Sequence, residues 1–432
     1  MTSVEIGILG IILLFVLLFL KLPVSIAMIV VGLLGNMLLS SPGPTLAKFG
    51  SDLILLTQNY NLSVIPLFVL MGLLLANTGL VSDLYDILNS FIGKLRAGMA
   101  MATIAAGAAF GAVCGSAVAC ASTIASVSVP EMSRHGYNRG FAASTAAVGS
   151  TLGIIIPPST TLVLFGILTE ESIGAMLIGG ILPGLMTMVI LMITAYIMVM
   201  RNPELAPSKA VETKAFSWKM LKSVWAVPLI FFLGFGGIWF GYFTPTEAGA
   251  VGAFLSLLFS LLTGKLTWKN FMESLTVTVR ITAMVFLMVI GGNIFGAFLT
   301  RTLIPIKLTA FIESLNAPPF MIILLILLIY TLMGPFMDEL ASMVIMTPIL
   351  YPIVISLGYN GIWFGVLTAM MLLTGLLVPP VGVTSLVVAS VTKIPSAEVF
   401  KYQIPYWIAI IIACIILIFI PDIILLLPRM MY

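Results

Sequence analysis

An aspartate at the midpoint of a long apolar run carries the most pointed chemistry in this chain. Asp338 stands in GPFMDELAS (334–342), inside the run from Pro319 to Pro352, with Glu339 beside it. A carboxylate at membrane depth costs about 2.5–3.5 kcal/mol even on insertion scales, so it marks a functional candidate. The functional reading has Asp338 binding a substrate group or organising a coupled ion, with Glu339 as a neighbour. The structural reading has it accepting bonds from nearby backbone N–H groups. Two other oily stretches are interrupted by proline pairs, GIIIPPST (153–160) and GLLVPPVG (375–382). Each pair removes two backbone donors and clashes with the preceding turn, which ends a helix.

Broken helices expose backbone groups that are tolerable in a membrane only where they line a cavity or meet an ion. Gly149, Ser150 and Gly153 flank the first break and Thr374 and Gly375 the second. Together with Gly334 they offer close carbonyl and hydroxyl oxygens of the kind that suits a hard cation such as sodium. Ser159 and Thr160 follow the first proline pair, where the N-terminus of a half-helix favours a carboxylate. Helix packing is the competing explanation for each of these small residues. Other chemistries find little support. His135, the only histidine, sits in MSRHGYNRG among basic residues, and Cys114, Cys120 and Cys414 lack metal-ligand spacing. With no phosphate-binding Gly-Lys-Ser/Thr loop either, neither a transition metal nor any organic cofactor is expected.

The elements that position these residues follow from composition. Of 432 residues, 61% are hydrophobic and 8% charged. Such a chain cannot clothe a soluble core and reads as a polytopic membrane protein. The net charge of +3 is spread over loops, without a basic cluster dense enough for nucleic acid. The first apolar block lacks a basic leader and is expected to be retained. At about 20 apolar residues per crossing, spans fall near 4–20, 22–40, 62–80, 173–200, 224–243, 246–263, 281–300 and 404–428. Two interrupted spans fall at 141–168 and 362–391. The runs 98–130 and 319–352 are too long for one crossing and short for two, so they read as re-entrant hairpins. Two short full spans joined by an Asp-Glu turn remain an alternative for the second. The segments 83–95 and 302–315 look amphipathic and suit the membrane surface. Five regions result: 1–97, scaffold and arm helices; 98–200, the first hairpin and broken helix; 201–223, a cytoplasmic linker; 224–318, scaffold and second arm; and 319–432, the second hairpin, broken helix and last span.

The sequence repeats itself at an offset of 222. Pro130 falls on Pro352, Gly136-Tyr137-Asn138 on Gly358-Tyr359-Asn360, Gly153 on Gly375, Pro157-Pro158 on Pro379-Pro380, and Pro183 on Pro405. These are mostly residues that fix backbone shape, so the halves are structural repeats. Ser116 falls on Asp338, which makes Ser116 a candidate for both substrate and sodium contact. Lys94, Arg96, Arg134 and Arg139 lie at the feet of the first hairpin, whereas 313–320 and 355–362 hold no Lys or Arg. By the positive-inside rule the hairpins open to opposite faces. The fold class is therefore all-α polytopic, with inverted repeats that each hold a re-entrant hairpin and a discontinuous helix. That arrangement belongs to secondary transporters with a midplane site.

The sequence resembles the large membrane subunit of tripartite ATP-independent periplasmic (TRAP) transporters, the DctM-like family. FTPTEAGAVGAF (243–254) carries the resemblance most specifically, with LGIIIPPS (152–159), PEMSRHGYNRGFAAS (130–144), MDELASMVIMTPILYPI (337–353) and LLVPPVG (376–382). The resemblance implies an elevator-type transport domain in a bacterial inner membrane, moving against a scaffold. It implies a small four-helix membrane subunit and a periplasmic substrate-binding protein as partners, and sodium as the coupling ion. It also implies an organic acid substrate, with MDELASM inclining towards sialic acid over a C4-dicarboxylate. No small subunit is recognisable within the chain, so that partner is expected as a separate polypeptide. Against this stand a self-sufficient sodium–carboxylate carrier, a channel, and an intramembrane enzyme using Asp338 as acid or base. The absence of any loop large enough to capture a ligand favours the tripartite reading.

Overall fold

Helices and the irregular segments between them make up the whole structure. The computed structural model describes residues 1–207, 224–314, 317–379 and 382–431, and no strand occurs among them. Most of the expected linker (208–223) and Pro380 lie outside the described residues.

One group of helices forms the scaffold. Ser3–Phe19 packs on Val24–Leu39, which lies along the 35-residue helix Trp268–Thr302. Val64–Ala76 packs on Pro245–Leu262 and on that same long helix, and Ala226–Trp239 covers Pro245–Leu262. The TPTE segment acquires a physical role here. Thr244 accepts the N–H of Glu247 at 3.3 Å, while Glu247 accepts the N–H of Thr244 at 2.8 Å. With Pro245 in the first turn, this capping box starts a scaffold helix sharply.

The other group holds both repeats. The first hairpin is Gly98–Cys114 and Ala117–Arg134; the second is Pro319–Met333 and Glu339–Ser356. Their first arms, 17 and 15 residues long, reach roughly 22–26 Å at 1.5 Å per residue, short of a hydrocarbon core of about 30 Å. The broken helices are Arg139–Thr151 with Thr160–Thr169, and Gly361–Gly375 with Val383–Thr392. They interlock the repeats. Thr160–Thr169 packs on the second arm of the second hairpin, and Val383–Thr392 on the second arm of the first.

Several boundaries differ from those expected. Both second arms run through the prolines taken as their ends, to Arg134 and Ser356. A membrane helix tolerates proline where neighbouring packing and local adjustment satisfy the freed groups. The span 404–428 divides at Ile420 into helices bent by 60°. An additional helix, Pro42–Thr57, precedes Val64–Ala76. Lys48 and Asp52 keep that segment from reading as a span, and Pro42 marks its first turn rather than a loop. The amphipathic segments are helices at Leu80–Ile92 and Ile304–Ser314.

Candidate functional site

The foot between each hairpin and its broken helix is built twice with the same bonds. Gly136 and Gly358 both have φ +82, a conformation that glycine adopts without the Cβ penalty. The Tyr137 N–H reaches Met132 O at 3.0 Å, and the Tyr359 N–H reaches Val354 O at 3.3 Å. Asn138 then caps its helix by accepting from the Phe141 N–H at 3.0 Å, and Asn360 does so from the Trp363 N–H at 3.1 Å. Every pair is 222 apart. The repeat is thus a repeat of hydrogen bonds as well as of letters.

The hairpin tips keep the same register with different chemistry. Gly115, at φ +64, turns the first tip, and Ser116 caps the second arm by accepting from the Ala119 N–H at 3.5 Å. At the second tip Asp338 accepts from the Ala341 N–H at 2.9 Å through one carboxylate oxygen. Asp338 therefore does bond the nearby backbone, and helix N-caps favour a short acid for that purpose. The Leu340 and Asp338 N–H groups also point at this carboxylate, so of its roughly four acceptor sites about one is left for another partner.

The proline breaks sit directly beneath these tips. In the first, the Ile155 and Ile156 N–H groups both bond to Leu152 O, and the Pro157–Pro158 peptide is cis. Ser159, fully buried, donates to Ile154 O and accepts from the Leu162 N–H at 3.1 Å, so one hydroxyl spans the break and caps the next helix. Thr160 donates to Gly115 O at 3.0 Å, tying the half-helix to the hairpin tip. In the second break Thr384 spans the gap by donating to Leu376 O at 2.9 Å. The helix that follows begins after Gly382, not at the position matching Ser159. The caps Ser159 and Gly382 differ by 223, as do the closing residues Glu170 and Lys393. Counted from the proline pair, the next cap comes one residue later in the second repeat, and Gly382 at φ +36 is that cap.

Glycines let hairpins and breaks meet backbone to backbone. A Cβ on Gly153 would stand 2.8 Å from Gly111 Cα, one on Gly149 2.9 Å from Ile104 Cα, and one on Gly375 2.5 Å from Gly334 Cα. Ser150 donates to Ala147 O at 2.6 Å, and Thr374 donates to Met371 O. Each hydroxyl retains acceptor lone pairs. The candidate residues fall into two clusters. Ser116, Ser159, Thr160 and Gly153 gather at the first tip with Gly149 and Ser150 one turn away, and Gly334, Thr374 and Gly375 gather beside Asp338 at the second. Among the described residues no hydrogen bond joins Ser116 to Asp338.

Three fully buried hydroxyls escape a reading of sequence. Ser144, Thr368 and Ser342 have no hydrogen-bond partner among the described residues, and Ser342 follows Asp338 by one helical turn. Their signal is faint, since small polar residues also pack membrane helices. No group of three or more His, Cys, Asp or Glu side chains converges among the described residues.

Cavities lie on both sides of the seam between repeats and scaffold. Asp338 lines one of about 640 Å³ with Phe15, Lys21, Met284, Met288 and Met333. A second, of about 750 Å³ and more polar, lies between Asn59, Asn61 and Asn293 of the scaffold and Glu171 and Tyr351 of the repeats. The second hairpin follows the long scaffold helix between them, with Gly292 against Val344 and Gly296 against Pro348.

Residues 11–423 match the family model of the DctM component of the tripartite ATP-independent periplasmic transporter. The chain is 31% identical to a C4-dicarboxylate TRAP transporter large permease protein, DctM, of Pseudomonas aeruginosa, over 86% of this chain and 87% of that one. It is equally, 31%, identical to a sialic acid TRAP transporter large permease protein, SiaM, of Vibrio cholerae, over 96% of each. Among solved structures the YdaH transporter of Alcanivorax borkumensis, with its unusual topology, shares the fold at a TM-score of 0.66. It covers 88% of this chain and 89% of its own, at 14% identity.

Proposed function

The chain belongs to the DctM component family of TRAP transporters, and from that premise we propose that it imports an organic acid by sodium-coupled elevator movement. Its relatives are transporter permeases, so the enzymatic reading of Asp338 falls away. In the proposed mechanism the interlocked repeats carry the substrate as one body past the scaffold. The small membrane subunit braces that scaffold in the inner membrane, and a periplasmic binding protein delivers the acid.

One observation carries this reading: both hairpin tips and both helix breaks belong to a single interlocked unit with a cavity on either side of its seam with the scaffold. A carrier needs such a site, reachable from one face at a time. Lys21, Lys265, Lys269 and Arg280 stand towards one scaffold end and Lys48, Arg301 and Lys307 towards the other, and by the positive-inside rule the richer end is taken as cytoplasmic. Asp338 shares a cavity with Lys21 near that end, which fits an inward-displaced unit. The oxygens of Ser116, Gly149, Ser150, Gly153, Gly334, Thr374 and Gly375 suit sodium, and Ser116, Ser159, Thr160 and Asp338 form the proposed substrate set.

Relatives of equal identity carry a C4-dicarboxylate and a sialic acid name, and the MDELASM stretch makes sialic acid the substrate to test first and a C4-dicarboxylate second. The test is uptake into proteoliposomes holding this chain with its small subunit. Uptake should need the binding protein and an inward sodium gradient, and should persist without a proton gradient. Uptake driven by pH alone in sodium-free buffer would overturn the coupling, and full uptake without a binding protein would favour a self-sufficient carrier.

A further inference from the structure

We propose that Glu171 and Tyr351 form a latch that fixes the outer foot of the second hairpin to the first broken helix, and so act as positioning residues for transport. The Tyr351 hydroxyl donates to Glu171 Oε1 at 2.7 Å, joining positions 180 apart in sequence. The Tyr351 ring meets Phe165 edge to face at 5.8 Å and 82°, and Phe165 in turn meets Phe364 at 6.0 Å. The tyrosine is thus held by both its ring and its hydroxyl. Glu171 is held from a third side, because its Oε1 fills the space where a Cβ on Gly361 would stand. Glu170, at φ +59, ends the half-helix and turns the chain so that Glu171 faces the hairpin arm.

The latch has no counterpart in the other repeat. The position matching Tyr351 is Val129, and Glu171 matches Lys393 at the 222 offset or Ile394 at the 223 offset that holds after the break. None of these supplies a hydroxyl facing a carboxylate. Tyr351 lies on the helix that Asp338 caps, so pinning its outer end sets the depth and rotation of the second tip. The pair also lines the polar cavity, where a hairpin free to swing would open the site to that face. The latch makes the second hairpin move with the broken helix rather than as a flap.

This rests on the transport reading above, so the test includes an arm that needs no uptake. In the full chain with its small subunit, hydrogen exchange is followed at 334–338 and at 114–117. Tyr351→Phe keeps the ring and removes the hydroxyl; Glu171→Ala removes the acceptor; Glu171→Gln retains one. Tyr351→Phe and Glu171→Ala should each raise exchange at 334–338 by about threefold or more, as loss of one hydrogen bond does. The first tip should stay unchanged, the double variant should go no further, and Glu171→Gln should restore wild-type exchange. Gly361→Ala, which keeps both polar groups and displaces the carboxylate, should match Tyr351→Phe. In uptake, KM should rise with the maximal rate within about twofold, the signature of altered binding rather than lost carriers. Unchanged exchange at 334–338, or equal rises at both tips, would overturn the latch. Absent uptake in the wild type would overturn the transport reading and leave the exchange result to judge the latch.

Discussion

The two repeats share their backbone at the feet and differ in chemistry at the tips. Their feet share glycines at φ +82, a returning N–H bond and an asparagine cap, each 222 residues apart. Their tips share a cap on the third following N–H, but one uses Ser116 and the other Asp338. Either side chain can cap a helix, since serine and aspartate rank alike there. Capping therefore explains why a short oxygen-bearing residue stands at each tip, and it does not explain why one of them is charged. That residual difference points to function.

Exchanging the tips is the sharpest way to break the comparison. Asp338→Ser keeps the cap and makes the second tip resemble the first, so unfolding stability should change by less than about 1 kcal/mol. If the carboxylate also holds substrate or ion, losing a charged hydrogen bond worth about 1.5–3 kcal/mol should cut uptake roughly ten- to hundredfold. Asp338→Asn should behave the same way. The measurement is proteoliposome uptake beside thermal unfolding on one preparation. Near-normal uptake by both variants would reduce Asp338 to a cap.

The same contrast explains what could be read from sequence. Glycine permits backbone shapes that other residues resist and proline forbids the helical continuation, so Gly136, Gly153, Pro157 and their copies announced the repeat, the breaks and the hairpins. Asp338 stood out because a charge in an apolar run is costly wherever the chain goes. Features decided by partners far along the chain were hidden. Whether Pro130 and Pro352 end or merely interrupt a helix depends on neighbours, and the Glu171–Tyr351 bond joins segments 180 residues apart. The one-residue slip at Gly382 was masked because the proline pairs on its N-terminal side still align.

A smaller effect is expected where hairpin and break touch. Gly153→Ala would press a methyl against Gly111 and Gly375→Ala one against Gly334, in both cases backbone that cannot swing aside. Overpacking of this kind costs about 1–3 kcal/mol. Both variants should lower the unfolding midpoint by similar amounts if the two crossings are equivalent. A large loss at Gly375 with none at Gly153 would mean that only the second tip is tightly seated.

The smallest effect tests the shared foot. Gly136→Ala and Gly358→Ala each place a side chain at φ +82, where an L-residue pays about 1–2 kcal/mol. Among the described residues little surrounds either site: the nearest atom to a new Cβ at Gly136 is Pro207 Cβ at 4.0 Å, and nothing lies within 4 Å at Gly358. The described residues offer no steric contact as a second cause, so both variants should lose the same stability through backbone strain. Asparagine, which tolerates the left-handed region better than alanine, should recover part of that loss at both positions. Matching losses in denaturant or thermal unfolding would make the feet interchangeable, which confines the functional difference between the repeats to the tips. A loss at one foot only would show that the matching bonds carry unequal load, and the comparison of Ser116 with Asp338 would then no longer be a comparison of like frames.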